Sequence, residues 1–133
     1  DAWASETAFT RNMRDLIQAA RQDGVDVLVA SQPSLYRADL TAAEREVVWF
    51  PHAHQQDGER ASIVSMAAGM RRFNRISREV AEAQGVGFVD LDAALPKDAV
   101  HLYDDVHVTA AGARLIAEAL AVGIENAGLI GTR

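Results

Sequence analysis

Asp104-Asp105-Val106-His107, followed by Val108-Thr109-Ala110-Ala111-Gly112, is the stretch of this chain best suited to acid–base chemistry. A carboxylate three residues before a histidine can accept the ring's Nδ1–H and hold one tautomer. Nε2 is then free to take a proton from a nucleophile. The pair sits just ahead of the last predicted helix, where a loop can aim both side chains at a cleft. A third partner is harder to find. Ser62, Ser65 and Ser77 fall inside a long predicted helix and Ser5 at the start of another. None has the glycine turn that builds a nucleophile elbow. Ser31, in Val29-Ala30-Ser31-Gln32-Pro33, is the best placed serine, at the end of a strand, yet it too lacks flanking glycines. Ser31 and Gln32 are therefore read as candidates for lining a substrate cleft.

Each of these residues also has a plainer reading. His107 can be a histidine in a loop ahead of a helix, and Asp104 an acid favoured by that helix's dipole. Asp105 reads as structural or solvent-facing, Thr109 as an N-cap, and Gly112 as a residue that permits close helix packing. His52 and His54 form a His-x-His pair whose rings would face one side of an extended segment, as a metal requires. They lie in a polar loop, so a solvated loop is the reading adopted and no metal is assigned. Tyr36, Trp49 and Phe50 can wall a substrate site or simply pack a short helix against the body; packing is the reading preferred.

The elements that must position these groups follow from pattern. The chain has 133 residues, 49% hydrophobic and 24% charged, enough to bury the core of one domain. Its net charge of −6 argues against a nucleic-acid partner or an anionic membrane surface. Arg71, Arg72, Arg75 and Arg78 line one helix and read as a solvated face. The absence of cysteine excludes disulfides and thiolate metal sites and leaves the compartment open. No apolar run is long enough to span a membrane.

A first helix is expected over about 5–22, with Phe9, Met13, Leu16, Ile17 and Ala20 on one stripe. Gly24 ends it, and Val25 to Ala30 reads as a strand. Residues 35–58 form an insertion. It holds a short helix, about Ala42 to Trp49, announced by the capping box Thr41-Ala42-Ala43-Glu44, and a polar loop from Pro51 to Gly58. A long helix over about 60–84 presents Ile63, Met66, Met70, Phe73, Ile76 and Val80. Gly85 caps it, and Val86 to Leu91 reads as the second strand. Thr109 then opens a helix to about Ala127, with Leu115, Ile116, Leu120 and Ile124 inward. Strands joined through a helix pair in parallel with a right-handed crossover. Ser31, Asp92 and the His107 loop are then expected at the carboxyl edge, where open α/β sheets bind ligands. Only two strands are recognisable, and two parallel strands seldom stand alone.

Asp104-Asp105-Val106-His107 with Thr109 and Gly112 resembles the last block of the SGNH, or GDSL-type, hydrolases, which places Asp-x-x-His just before the C-terminal helix. Phe73-Asn74 and Ile76, the run Ala83-Gln84-Gly85-Val86-Gly87-Phe88-Val89-Asp90-Leu91, and Arg14-Asp15-Leu16-Ile17 leading to Val27-Leu28-Val29 and Pro33 are similar to the segments before it. The resemblance covers nearly the whole chain. It implies a three-layer α/β/α fold with a parallel sheet, flavodoxin-like, and a serine ester hydrolase acting on carbohydrate, lipid or other small-molecule esters without metal or organic cofactor. It makes His107 the general base and Asp104 its orienting carboxylate; Asp105 does not stand at the family's spacing.

The family's Gly-Asp-Ser nucleophile block, its oxyanion-hole glycine and its Gly-x-Asn-Asp motif are absent, although Asp1-Ala2-Trp3 can be aligned with the end of the last. The expectation is therefore a single domain over 1–133 that forms the C-terminal portion of such an enzyme. Its serine and further strands would come from an N-terminal half on the same precursor or a separate chain. The alternatives are an O-acyltransferase of the same fold and a non-catalytic α/β module that binds a partner through an exposed sheet edge.

Overall fold

A computed structural model describes residues 5–50, 55–56 and 59–130. Along the chain come α1 (Glu6–Gln22), β1 (Leu28–Ala30), α2 (Ala42–Val47), the short strands β2 (Gln55–Gln56) and β3 (Glu59–Arg60), α3 (Ile63–Gln84), β4 (Gly87–Val89), α4 (Leu91–Ala94) and α5 (Ala110–Asn126).

β1 and β4 pair in parallel, with Leu28 opposite Gly87, Val29 opposite Phe88 and Ala30 opposite Val89. Alternation along each strand puts Val29 and Phe88 on one face. There Ile17 of α1 and Ile76, Val80 and Ala81 of α3 cover them, and Phe9 meets Phe73 edge to face at 4.9 Å. Leu28, Gly87 and Val89 share the other face, beneath α5. A Cβ at Gly123 would stand 2.1 Å from Val89 Cγ2, and one at Gly87 would stand 2.9 Å from the Ala127 Cβ. Glycine at both positions lets helix and strand approach. The architecture is α/β with helices on both faces of a parallel pair.

Both strands begin later than their apolar runs suggest, for one reason. Gly24 and Gly85 adopt left-handed φ values of 72° and 62°. The amides of Val25 and Val86 then turn back to Ala20 O and Ala81 O at 2.9 and 3.0 Å. This Schellman closure satisfies the last carbonyls of the helix and occupies amides a ladder would otherwise use. Arg21 also donates to Gln84 O at 2.7 Å, a cation at a helix C-terminus.

Other boundaries shift for equally local reasons. Thr41 and Glu44 form the expected capping box, but α2 stops at Val47 because Val48 is extended, with ψ 102°. Gln55–Gln56, in the stretch read as a loop, pairs antiparallel with Glu59–Arg60, and the long helix starts only at Ile63. The Asp90 side chain accepts from Ala93 N at 3.1 Å and starts α4, so the second strand ends before Leu91. Leu16, expected on the inward stripe of α1, is 72% exposed. That helix packs chiefly on α3, and one partner covers only a narrow seam.

The segment beginning at Leu35 builds a second core. Leu35, Tyr36, Leu40 and Val48 are buried with Ala67, Leu95 and Leu102, and Val106, Val108, Leu115 and Ile116 pack against them. Arg37 ties this segment down. Its guanidinium bonds both oxygens of buried Glu44 at 2.6 and 2.7 Å, and its Nε donates to Lys97 O at 2.9 Å. This core lies directly under the loop that carries Asp104 and His107.

Candidate active site

The loop between α4 and α5 is closed by its own backbone. Leu102 and Val108 form an antiparallel bridge, and Tyr103 N donates to His107 O at 3.1 Å. Asp104 fills the turn between them. Its Oδ1 accepts the amides of Val106 and His107 at 3.0 and 2.8 Å, the side-chain-to-backbone geometry that makes aspartate a turn residue. Val108 then leads to Thr109, whose hydroxyl caps α5 by accepting from Gly112 N at 3.2 Å.

The same carboxylate meets the His107 ring. Nδ1 lies 2.9 Å from Asp104 Oδ2 and 3.1 Å from Oδ1. The Asp104 side chain is 13% exposed and that of His107 59%. Among the described residues Nε2 has no hydrogen-bond partner. Tyr103 stacks on the imidazole, with centroids 5.9 Å apart and planes 15° from parallel. Burial is the largest influence on Asp104 and raises its pKa. The Val106 and His107 amides, then the His107 ring and its charge, outweigh that, and the pKa ends below the usual carboxylate value. Asp104 is therefore an anion at neutral pH.

Asp105 is buried, not solvent-facing. Its Oδ2 accepts the amides of Trp49 and Phe50 at 2.9 and 3.1 Å, and its carbonyl accepts from Leu35 N at 2.8 Å. Tyr36 is buried beside it. Burial, then the charge and hydrogen bonding of Asp105, push the phenol well above its ordinary range. Of the three aromatics expected to pack, Tyr36 does so, while Trp49 and Phe50 are 48% and 37% exposed.

A second Asp-x-x-His stands six residues upstream, and its spacing in Asp98-Ala99-Val100-His101 was as visible as the first. His101 Nδ1 lies 2.7 Å from Asp98 Oδ1. The setting separates the two pairs. The His101 side chain is 20% exposed, and its carbonyl accepts Thr109 N at 3.0 Å against Gly112, where a Cβ would come within 2.2 Å of that oxygen. This pair fastens the start of α5, whereas His107 faces outward.

Ser31 lies at the carboxyl end of β1, buried. Its hydroxyl donates to Asp90 Oδ1 and accepts from Asp92 N, both at 2.9 Å. It joins the two strand ends, and no contact among the described residues links it to His107. Gln32 is held through its backbone: its amide donates to Asn74 Oδ1 and its carbonyl accepts from Asn74 Nδ2, both at 2.8 Å. Asp92 pairs with Lys97 and accepts from Ser34 N. His52, His54 and Asp1 lie outside the described residues. Among the described residues no group of three or more acidic or histidine side chains is disposed to hold a metal ion.

Comparison with protein families matches residues 1–115 to the GDSL-like Lipase/Acylhydrolase family. The chain belongs to that family. The match takes in both strands of the parallel pair, the loop holding Asp104 and His107, and the start of α5. Membership in the GDSL-like family supports esterase or acylhydrolase chemistry on small-molecule esters. Comparisons with curated proteins and with solved structures give no match. Among the described residues no helix is long and apolar enough to cross a membrane.

Proposed function

We propose that this chain supplies the histidine and aspartate of a Ser-His-Asp triad that cleaves carboxylic esters. His107 is the general base and Asp104 orients it. The observation that carries the reading is the 2.9 Å contact between His107 Nδ1 and Asp104 Oδ2 in a GDSL-like chain, with the His107 side chain exposed. The serine comes from a segment with the Gly-Asp-Ser motif, on the same precursor or a separate chain. That segment also adds strands to the β1/β4 pair.

The chemistry then runs in two halves. Serine Oγ attacks the ester carbonyl carbon as Nε2 takes its proton, and the carbonyl π pair moves onto oxygen. Asp104 accepts Nδ1–H and stabilises the imidazolium. When the tetrahedral centre collapses, the alcohol leaves with the proton from Nε2 and an acyl-serine remains. Water, deprotonated by His107, attacks in turn, and the acid is released as serine regains its proton. Esters of acetylated carbohydrates or lipids fit this scheme. An acceptor other than water would make the same steps an acyl transfer.

The test is complementation. Neither this chain nor the purified Gly-Asp-Ser segment should hydrolyse p-nitrophenyl acetate above background, and their mixture should. His107→Ala in the mixture should return the rate to background. Robust turnover by the isolated chain would overturn the assignment of the serine. Activity that survives His107→Ala would overturn the assignment of the base.

A further inference from the structure

The arginines of α3 do not form a uniform solvated face. Arg71, Arg75 and Arg78 stand four and seven residues apart, on one side of the helix. They look over the carboxyl ends of both parallel strands, where Ser31 and Asp90 follow β1 and β4. Two cavities of about 230 and 220 Å³ lie there side by side, and both are bounded by Arg71 and Asp92. The first continues past Arg75 and Arg78 to Phe88. The second continues past Ser34 to Tyr36, Arg37 and Lys97. Together they make one groove along the strand ends.

Charge along this groove is almost balanced pair by pair. Arg37 bonds Glu44, Lys97 bonds Asp92, and Arg78 bonds Asp90. Arg78 also lies over the Phe88 ring, 4.4 Å from its centroid. Arg75 faces Glu79 at 3.7 Å. Arg71 differs: among the described residues no carboxylate or carbonyl accepts from its guanidinium. Its positive charge stands at the junction of the two cavities beside Asp92, whose carboxylate is paired with Lys97, in a chain whose net charge is −6. The Asn74 amide beside it is already occupied by the Gln32 backbone, so Arg71 is the charged donor left for a ligand there.

The geometry points to a binding site for a small oxyanion, carboxylate or phosphate, held by Arg71 with the rest of an elongated ligand lying along the groove. A planar guanidinium matches either group with two parallel N–H···O bonds. The site is separate from His107, which bounds neither cavity. Its occupancy can therefore be read without hydrolysis.

The test is an amide NMR titration of the 133-residue chain at low ionic strength, with inorganic phosphate, D-glucuronate and D-glucose as probes. At least one anion should give saturable shifts at Ser31, Ser34, Arg71 and Asn74, and glucose should give none. Phosphate alone, or glucuronate alone, would assign the anion class. Arg71→Gln should weaken binding by at least about tenfold, and Arg71→Lys less. Arg114→Gln, the same charge change on α5, should leave it unchanged. Conserved dispersion of the remaining amides shows that each variant is folded. Shifts that never saturate, equal shifts with glucose, or equal losses in Arg71→Gln and Arg114→Gln would overturn the site.

Discussion

Asp105 accepts the backbone amide of Trp49 at 2.9 Å, across 56 positions of sequence. The same oxygen accepts from Phe50, and the Asp105 carbonyl holds Leu35. One buried residue thus fastens both ends of the 35–50 segment to the loop of Asp104 and His107. Asp105→Ala removes a charged acceptor shared by two amides and should cost about 3 kcal/mol of stability. Asp105→Asn, which keeps an acceptor oxygen, should cost less. Urea unfolding of the two variants measures the order. An Asp105→Ala midpoint equal to that of the parent chain would show that the anchor contributes nothing.

Asp104 sets an expected pH dependence. Burial opposes its ionisation, but the Val106 and His107 amides and the His107 ring favour the carboxylate more, so its folded pKa lies below the unfolded value of about 3.9. A depressed folded pKa stabilises the fold fully above the unfolded pKa. That stability is lost as pH falls through the folded pKa. The Asp104 side-chain carboxyl carbon resonance should show its main titration step below about pH 4. Asp104→Asn should abolish that titration. A midpoint above about 4 in the parent chain would contradict the depressed pKa.

Gly112 makes a steric prediction. A Cβ there would stand 2.2 Å from the His101 carbonyl oxygen, a backbone atom, and 3.1 Å from the Val108 Cβ. The start of α5 would have to move away, breaking the Thr109 N–His101 O bond that closes the loop. Gly112→Ala should therefore destabilise by about 1–3 kcal/mol despite alanine's better helix propensity. Gly128→Asn is the contrast. Nothing stands within 4 Å of a Cβ there, and its left-handed φ of 64° is one that asparagine tolerates. Thermal unfolding that ranks Gly128→Asn as the more damaging change would refute the steric account.

The features legible in the sequence are those in which a few neighbouring residues determine one another. Thr41 and Glu44 announced their capping box, Gly24 and Gly85 the ends of their helices, and Thr109 the start of α5. Asp104 meets His107 because a turn three residues long brings them together. The same local logic applies to Asp98 and His101, which the motif reading passed over.

What tertiary structure alone decided lies at large sequence separation. Asn74 clamps Gln32 from 42 residues away. Ser31 is committed to Asp90 and Asp92 because the parallel register brings the two strand ends side by side. Among the described residues Arg71 has no acceptor, whereas Arg78 on the same helix reaches Asp90 beyond the end of β4. A contact within one turn follows from backbone geometry, whatever the rest of the chain does. A contact across the fold exists only after packing has selected which surfaces meet, and spacing carries no record of that choice. The sequence alone could thus name the Asp104–His107 contact, while its difference from its upstream twin, one ring turned outward and the other set against α5, came only from the fold.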